Sequence, residues 1–292
     1  MLDIKYILSH QTEYAEMLKN RHHNFDLNIL AGLDEKRRKI IGETEDLKAK
    51  RNEGSKKIGM AKSTGEDVNA LKGVSMGFKT GKLYGIIGPA GAGKTTLFRL
   101  ILQLLKPTSG QIIYQANGQE IPFDVFRQSI AYMPQTQSLY ADLSIEEHLA
   151  FFKDLYGITE TDYQQKKKEL LDLTRLDRFL DRPAGKLSGG MYKKLGLMCA
   201  LLRSPKVMLL DEPTNGVDPI SRREFWDMLH EAVKQGILVI MTTAYMDEAE
   251  RCGEVVLMEE GSVLGMGEPK MLLQEAAVQD FDEFFLKRRG KE

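Results

Sequence analysis

Apolar residues in this chain follow two rhythms, and the change comes near residue 67. Up to about residue 66 the chain is polar, charged and free of proline. Leu30, Leu33, Arg37, Ile40, Thr44, Leu47, Arg51, Gly54 and Ile58 there step alternately three and four positions apart. That is a heptad seam with weak members, which predicts a loosely pairing helix that needs a partner surface. Gly32, Gly42, Gly54 and Gly59 lower its helix stability. From Val68 the pattern becomes short apolar runs separated by longer amphipathic stretches. Val74–Phe78, Leu83–Ile87, Gln111–Tyr114, Lys206–Asp211, Gly236–Met241 and Val255–Met258 predict strands, several of them fully buried. Helices are expected over 96–105, 144–155, 160–174, 188–203, 219–234 and 246–251, a closing hairpin over 261–267, and a helical tail towards Glu292. Strands alternating with helices argue for a mostly parallel sheet with helices on both faces and a small antiparallel part. The mostly helical stretch 137–203 reads as a subdomain inserted into that core.

At 292 residues the chain has room for about two domains. A formal net charge of −1 gives no general argument for a nucleic acid or a membrane surface. Cys199 and Cys252 lie far apart, which excludes a disulfide framework and suits a reducing compartment. No apolar run approaches the roughly 18 residues of a membrane span, and no secretion signal opens the chain. A cytoplasmic protein is expected.

The residues with the strongest chemical meaning are Gly88, Pro89, Ala90, Gly91, Ala92, Gly93, Lys94 and Thr95, followed by Thr96. They fit the phosphate-binding loop G-x-x-x-x-G-K-[ST] at every fixed position, between a predicted strand and a predicted helix. Glycines let successive backbone N–H groups point at one anion, and the helix N-terminus adds its positive end. Lys94 is placed to reach β- and γ-phosphates, and the Thr95 hydroxyl to ligate Mg²⁺. The run Val207–Asp211 ends in Asp211-Glu212, the way nucleotide-binding folds present acids. Asp211 is expected in the Mg²⁺ shell and Glu212 as general base on the attacking water. Alone, such an ending is common; beside the loop it gains meaning. Ser188 reads as a helix cap, with Gly189 and Gly190 opening the backbone after it. In isolation this is merely a helix start.

Together these pieces resemble the ATP-binding domain of ABC transporters over about residues 67–285, leaving 286–292 as a charged tail. The pieces are the loop 88–95, Met133-Pro134-Gln135, Leu187–Met191, Leu210–Thr214 and Gly216–Pro219. Ser221–Trp226 and Thr243–Arg251 are similar to the drug-export branch with separate membrane subunits. The resemblance implies an α/β P-loop NTPase core that binds ATP with Mg²⁺. It implies that Gln135 senses Mg²⁺ and the attacking water and signals to residues 136–142, near the membrane partner. Ser188 and Gly190 would contact the γ-phosphate held by an opposite subunit, with Asp218 across the dimer interface. The implied partners are a second ATP-binding subunit and transmembrane permease subunits, which would hold the chain on the inner face of the membrane.

Two departures bear on activity. The family normally places a histidine after the strand at 236–241, and Ala244 stands there. Alanine neither donates a hydrogen bond nor carries charge. A contact of that kind, if made in the transition state, is worth orders of magnitude in rate. One reading is therefore a degenerate switch that binds ATP and hydrolyses it slowly; the other is a working engine that tolerates the replacement. The family's adenine-stacking aromatic is also missing near 62–65, where stacking would contribute about 1–3 kcal/mol. Weaker or less selective nucleotide binding is expected.

Residues 1–66 resemble the start of the seryl-tRNA synthetase arm, on Met1–Tyr6, Phe25–Leu27, Leu33–Arg38 and Lys56–Lys62. The returning arm helix and the catalytic domain have no counterpart here. The resemblance implies two unrelated fragments joined near Gly65 to Val68. Acids nearly match bases along the segment, so a solvated charged helix is expected and tRNA is not expected as a partner; an RNA-binding module through residues 1–66 is the remote alternative.

Overall fold

The computed structural model describes residues 13, 14, 16, 17, 70–136 and 138–289. The chain divides into two compact units, residues 1–68 and 69–292. In the first, residues 13, 14, 16 and 17 are helical. The heptad seam and the aromatic gap at 62–65 lie outside the described residues.

The second unit is built on a six-stranded sheet in the order β4-β5-β6-β1-β7-β8. Its strands are β1 (Leu83–Ile87), β4 (Ile130–Met133), β5 (Val207–Asp211), β6 (Leu238–Thr243), β7 (Glu254–Glu259) and β8 (Ser262–Gly267). The first five are mutually parallel and β8 returns antiparallel beside β7. β2 (Tyr114–Ala116) and β3 (Gln119–Ile121) form a separate antiparallel pair. The helices are α1 (Lys94–Ile101), α2 (Phe123–Phe126), α3 (Ile145–Tyr156), α4 (Glu160–Thr174), α5 (Gly189–Leu202), α6 (Pro219–Lys234), α7 (Pro269–Glu275) and α8 (Phe281–Arg289). This is the α/β P-loop NTPase fold expected, with a mostly parallel sheet and flanking helices.

Every residue of β1, β5 and β6 is buried, which is why those runs read as continuously apolar. Alternate residues feed two cores, one on each face of the sheet. Leu83, Ile87, Met208, Leu210, Val239, Met241, Val255 and Leu257 join the core with Phe225, Trp226 and Leu195 of α6 and α5. Tyr84, Ile86, Val207, Leu209, Leu238, Ile240, Val256 and Met258 face the other way, onto Leu97 and Phe98 of α1.

Four expectations need correction. Val74–Phe78 is not a strand: Val74, Met76 and Phe78 are half-buried and alternate with exposed residues, but the segment has no ladder partner among the described residues. Alternation marks a face; a strand also needs a neighbour. Gln111–Tyr114 contributes only Tyr114 to a strand, the rest of β2 lying beyond it. The first helix ends at Ile101 rather than residue 105, with Gln103 in the left-handed region at φ 52°. Residues 246–251 wind as a tighter 3₁₀ turn. The tail is helical from Phe281 to Arg289, with Phe281 and Phe285 buried.

Candidate active site

The chemistry gathers at the carboxyl ends of β1, β5 and β6, where an open parallel sheet presents ligand sites. β1 runs into the loop, and the loop turns into α1 through Gly93, whose φ of 101° is open to glycine and strained for any residue with a Cβ. No side chain caps α1, so its first amides are left for another acceptor. Lys94 opens the helix and folds back over the loop, its Nζ donating to the carbonyls of Gly88 (2.7 Å) and Pro89 (3.0 Å). Gly88 is buried, Pro89 and Thr96 are half-buried, and Ala90 and Gly91 are exposed at the tip.

β5 carries Asp211, 1 % exposed, to the same place. The Thr95 hydroxyl donates to its carboxylate, 2.9 Å to Oδ2 and 3.2 Å to Oδ1. Glu212 follows in the left-handed region at φ 47°, an uncommon conformation for glutamate and one that clusters at functional sites. The carboxylate is held from two sides. Lys94 Nζ lies 3.6 Å from Oε1, while Gln135 Nε2 donates to Oε2 at 2.6 Å and Asn215 Nδ2 at 3.4 Å. The loop lysine, the Thr95–Asp211 pair, Glu212 and Gln135 thus form one cluster, although they span residues 94–212. Burial pushes the Lys94 ammonium below the ordinary lysine range, and the Glu212 and Asp211 charges raise it part of the way back.

Ser188, Gly189, Gly190 and Asp218 make a second cluster at the N-termini of α5 and α6. The Ser188 hydroxyl accepts from Met191 N at 3.3 Å. Asp218 Oδ1 accepts from Ile220 N and Ser221 N at 3.1 and 3.0 Å. Hydrogen bonds from Ser221 hold the Asp218 carboxyl below the ordinary aspartate range. The polar bonds of both residues therefore go to the helices they open, and Ser188, Gly189 and Asp218 remain exposed. Gly190 is buried, and a Cβ there would come 2.3 Å from Ser221 Cβ and Oγ.

Four contributors were not singled out from the sequence. Thr242, fully buried on β6, donates from its hydroxyl to Asp211 Oδ1 at 2.6 Å and accepts from Glu212 N at 2.9 Å. Strand register sets this, since Asp211 pairs with Thr242. Lys193 reaches towards the Gln135 carbonyl at 3.5 Å, and burial lowers its ammonium below the ordinary range. Asn215 and Tyr245 complete the set, joined by a 3.3 Å hydrogen bond from the tyrosine hydroxyl. Ala244 sits exposed directly after β6. Among the described residues no group of three or more His, Cys, Asp or Glu side chains forms a metal cluster, and no helix is long and apolar enough to cross a membrane.

The ABC transporter family matches residues 71–215, and the seryl-tRNA synthetase N-terminal domain matches residues 1–80. The chain is 46% identical over 223 residues to the Probable multidrug ABC transporter ATP-binding protein YbhF of Escherichia coli (strain K12). That match covers 74% of this chain and 38% of YbhF, so the chain spans well under half of that relative. It is 34% identical over 222 residues to the Nod factor export ATP-binding protein I of Burkholderia orbicola (strain AU 1054), covering 75% of this chain and 72% of the relative. A solved structure of the ATP binding subunit of an ABC transporter superposes with a TM-score of 0.66 at 30% identity, covering 75% of this chain and 92% of that one. The cbiO1 structure from Clostridium perfringens gives 0.64 at 32% identity, covering 70% and 84%. From the phosphate loop to the end of the sheet, the chain belongs to the ABC transporter ATP-binding family.

Proposed function

We propose that this chain is an ATP-binding and ATP-hydrolysing subunit that dimerises on ATP and powers a separate membrane exporter. One observation carries the reading: the Thr95 hydroxyl and the Asp211 carboxylate meet at 2.9 Å, and their chain neighbours Lys94 and Glu212 meet at 3.6 Å. Hydroxyl and carboxylate oxygens are hard donors suited to Mg²⁺, which keeps its remaining positions for water and phosphate oxygens. Thr95, Asp211 and Gln135 would hold it. When bound, it neutralises charge on the phosphates. The uncapped amides at the start of α1 and Lys94 bind the phosphate chain, in the loop from Gly88 to Thr96. Glu212, aimed by Lys94, Gln135 and Asn215, takes a proton from the attacking water. Gln135 sits beside it and links the site to residues 136–142, which would face the permease at the inner side of the membrane. Ser188, Gly189, Gly190 and Asp218 lie exposed or packed at two helix ends, as groups that complete the site of an opposite subunit would. The export direction follows the names of the multidrug and Nod factor relatives.

A second reading is a switch that closes on ATP and barely hydrolyses it. Ala244 favours it, since it offers no hydrogen-bonding side chain just past β6. Steady-state turnover of the purified full chain, beside Ala244→His and with Lys94→Ala as blank, separates the two. We expect the wild type to exceed the blank and the histidine variant to run at the wild-type rate; a histidine variant about tenfold faster, or about 1.4 kcal/mol of barrier, would favour the switch. Equal, normal rates would make Ala244 a tolerated variant of a working engine. A wild type no faster than the blank would end the hydrolytic reading.

A further inference from the structure

We propose that Tyr245 is a positioning residue for Glu212, acting through Asn215; the inference rests on the hydrolytic reading above. Past β6 the first side chain able to hydrogen-bond is that of Tyr245, because Ala244 has none. Its hydroxyl donates to Asn215 Oδ1 at 3.3 Å. The other end of the same amide, Asn215 Nδ2, donates to Glu212 Oε2 at 3.4 Å. An amide suits this place because it accepts on one side and donates on the other, so one side chain fixes both neighbours. The Tyr245 ring is itself held: the Arg222 guanidinium lies over it, 4.9 Å from the ring centre, and Tyr245 N donates to Thr243 Oγ1 at 3.0 Å. Arg222 stands one turn into α6 from its cap at Asp218 and also faces Asp247 at 3.6 Å.

Two struts therefore tie the loop 212–217 to the turn after β6. The buried one joins the Thr214 hydroxyl to Glu248 Oε2 at 3.0 Å and ends inside the protein. The Tyr245–Asn215 strut lies at the surface, with Tyr245 37% exposed, and ends on the carboxylate of Glu212. A surface hydrogen bond adds little to stability, whereas the direction of a general base governs rate steeply. Glu212 has particular use for such a stay, because its backbone already sits in the left-handed region. The chain Arg222–Tyr245–Asn215–Glu212 also joins the α6 end that carries Asp218 to the carboxylate.

The test uses the full chain with Tyr245→Phe, which keeps the ring over Arg222 and removes only the hydroxyl, Asn215→Ala, and the double variant. We expect each single variant to lower kcat about fivefold with KM for ATP unchanged, and the double variant to be no slower than Asn215→Ala alone. Wild-type kcat in Tyr245→Phe, independent losses that multiply in the double variant, or a change confined to KM would each overturn the proposal. Hydrogen exchange gives a readout that needs no turnover. Tyr245→Phe should speed deuterium uptake of the 212–217 peptide several-fold while β1 (83–87) exchanges as in the wild type. If the wild type fails to exceed the Lys94→Ala blank, hydrolysis as such falls, and the exchange result alone decides the strut: unchanged uptake over 212–217 refutes it.

Discussion

Thr242 shows how much of this site depends on a residue outside the phosphate loop and the Asp211-Glu212 pair. Its hydroxyl is fully buried and used twice, as donor to Asp211 Oδ1 and as acceptor from Glu212 N. The Thr242 carbonyl also accepts from Glu212 N at 3.1 Å, so that amide keeps a partner when the hydroxyl is removed. Asp211 does not fare as well. In Thr242→Val the shape is kept, and the buried carboxylate is left with Thr95 as its hydroxyl donor. Losing a donor to a buried charged group costs about 1–3 kcal/mol. We expect Thr242→Val to destabilise the chain by that amount in urea titration, while Thr242→Ser largely restores it. A valine variant as stable as the wild type would mean that Asp211 takes no support from β6. The register pair Asp211 and Thr242 also explains why spacing alone could not find the threonine. The loop 88–95 is legible because its members are contiguous; Thr242 and Lys193 are made neighbours of the site only by folding.

At the level of elements, legibility followed local signals. α4 and α6 match their expected spans because each is opened by a side-chain cap, Thr159 for α4 and Asp218 before Pro219 for α6. The strands β3 and β4 and the helix α2 were missed, being partly exposed and too short to carry a period. Val74–Phe78 failed for the opposite reason: its alternation is clear, but pairing is a property of two segments. The most fully specified start is that of α3. Ser144 Oγ accepts from Glu147 N at 3.2 Å, and Ser144 N donates to Glu147 Oε2 at 2.7 Å, a reciprocal box. α3 opens the helical part that follows Gln135, so fraying its start would loosen residues 138–144. Ser144→Ala should cost about 1 kcal/mol in thermal unfolding at neutral pH. The box also sets a pH signature. Hydrogen bonds from Ser144, backbone first, hold the Glu147 carboxyl below the ordinary glutamate range. Its stabilising share is therefore complete above the unfolded carboxyl's range and is lost as pH falls through the folded value. Glu147→Gln should trail the wild type at pH 7 and draw level in acid, as followed by Tm against pH; a gap that persists unchanged in acid would assign the box no electrostatic part.

On the scale of the whole molecule, the two clusters make their contacts in different ways. The loop cluster holds its own members together by hydrogen bonds within the chain, whereas Ser188, Gly189 and Asp218 face outward at the ends of α5 and α6. If an opposite subunit supplies these groups, perturbing them should spare nucleotide binding and weaken pairing. Gly190 offers the sharpest way to do this. A Cβ there would press to 2.3 Å from Ser221 and to 3.3 Å from Asp218 Oδ2, distances that force the two helix ends apart. The consequence can be read in a Glu212→Gln background, chosen so that bound ATP is not consumed. We expect Gly190→Ala to leave ATP affinity of the single chain within twofold and to weaken ATP-dependent dimerisation at least about tenfold in sedimentation velocity, about 1.4 kcal/mol. Ser221→Gly removes the opposing Cβ, so Gly190→Ala with Ser221→Gly should recover most of the lost pairing. Recovery is the decisive arm. A double variant that still fails to dimerise would show that the alanine acts on something other than the α5–α6 contact, and unimpaired dimerisation of Gly190→Ala would remove this face from the subunit interface altogether.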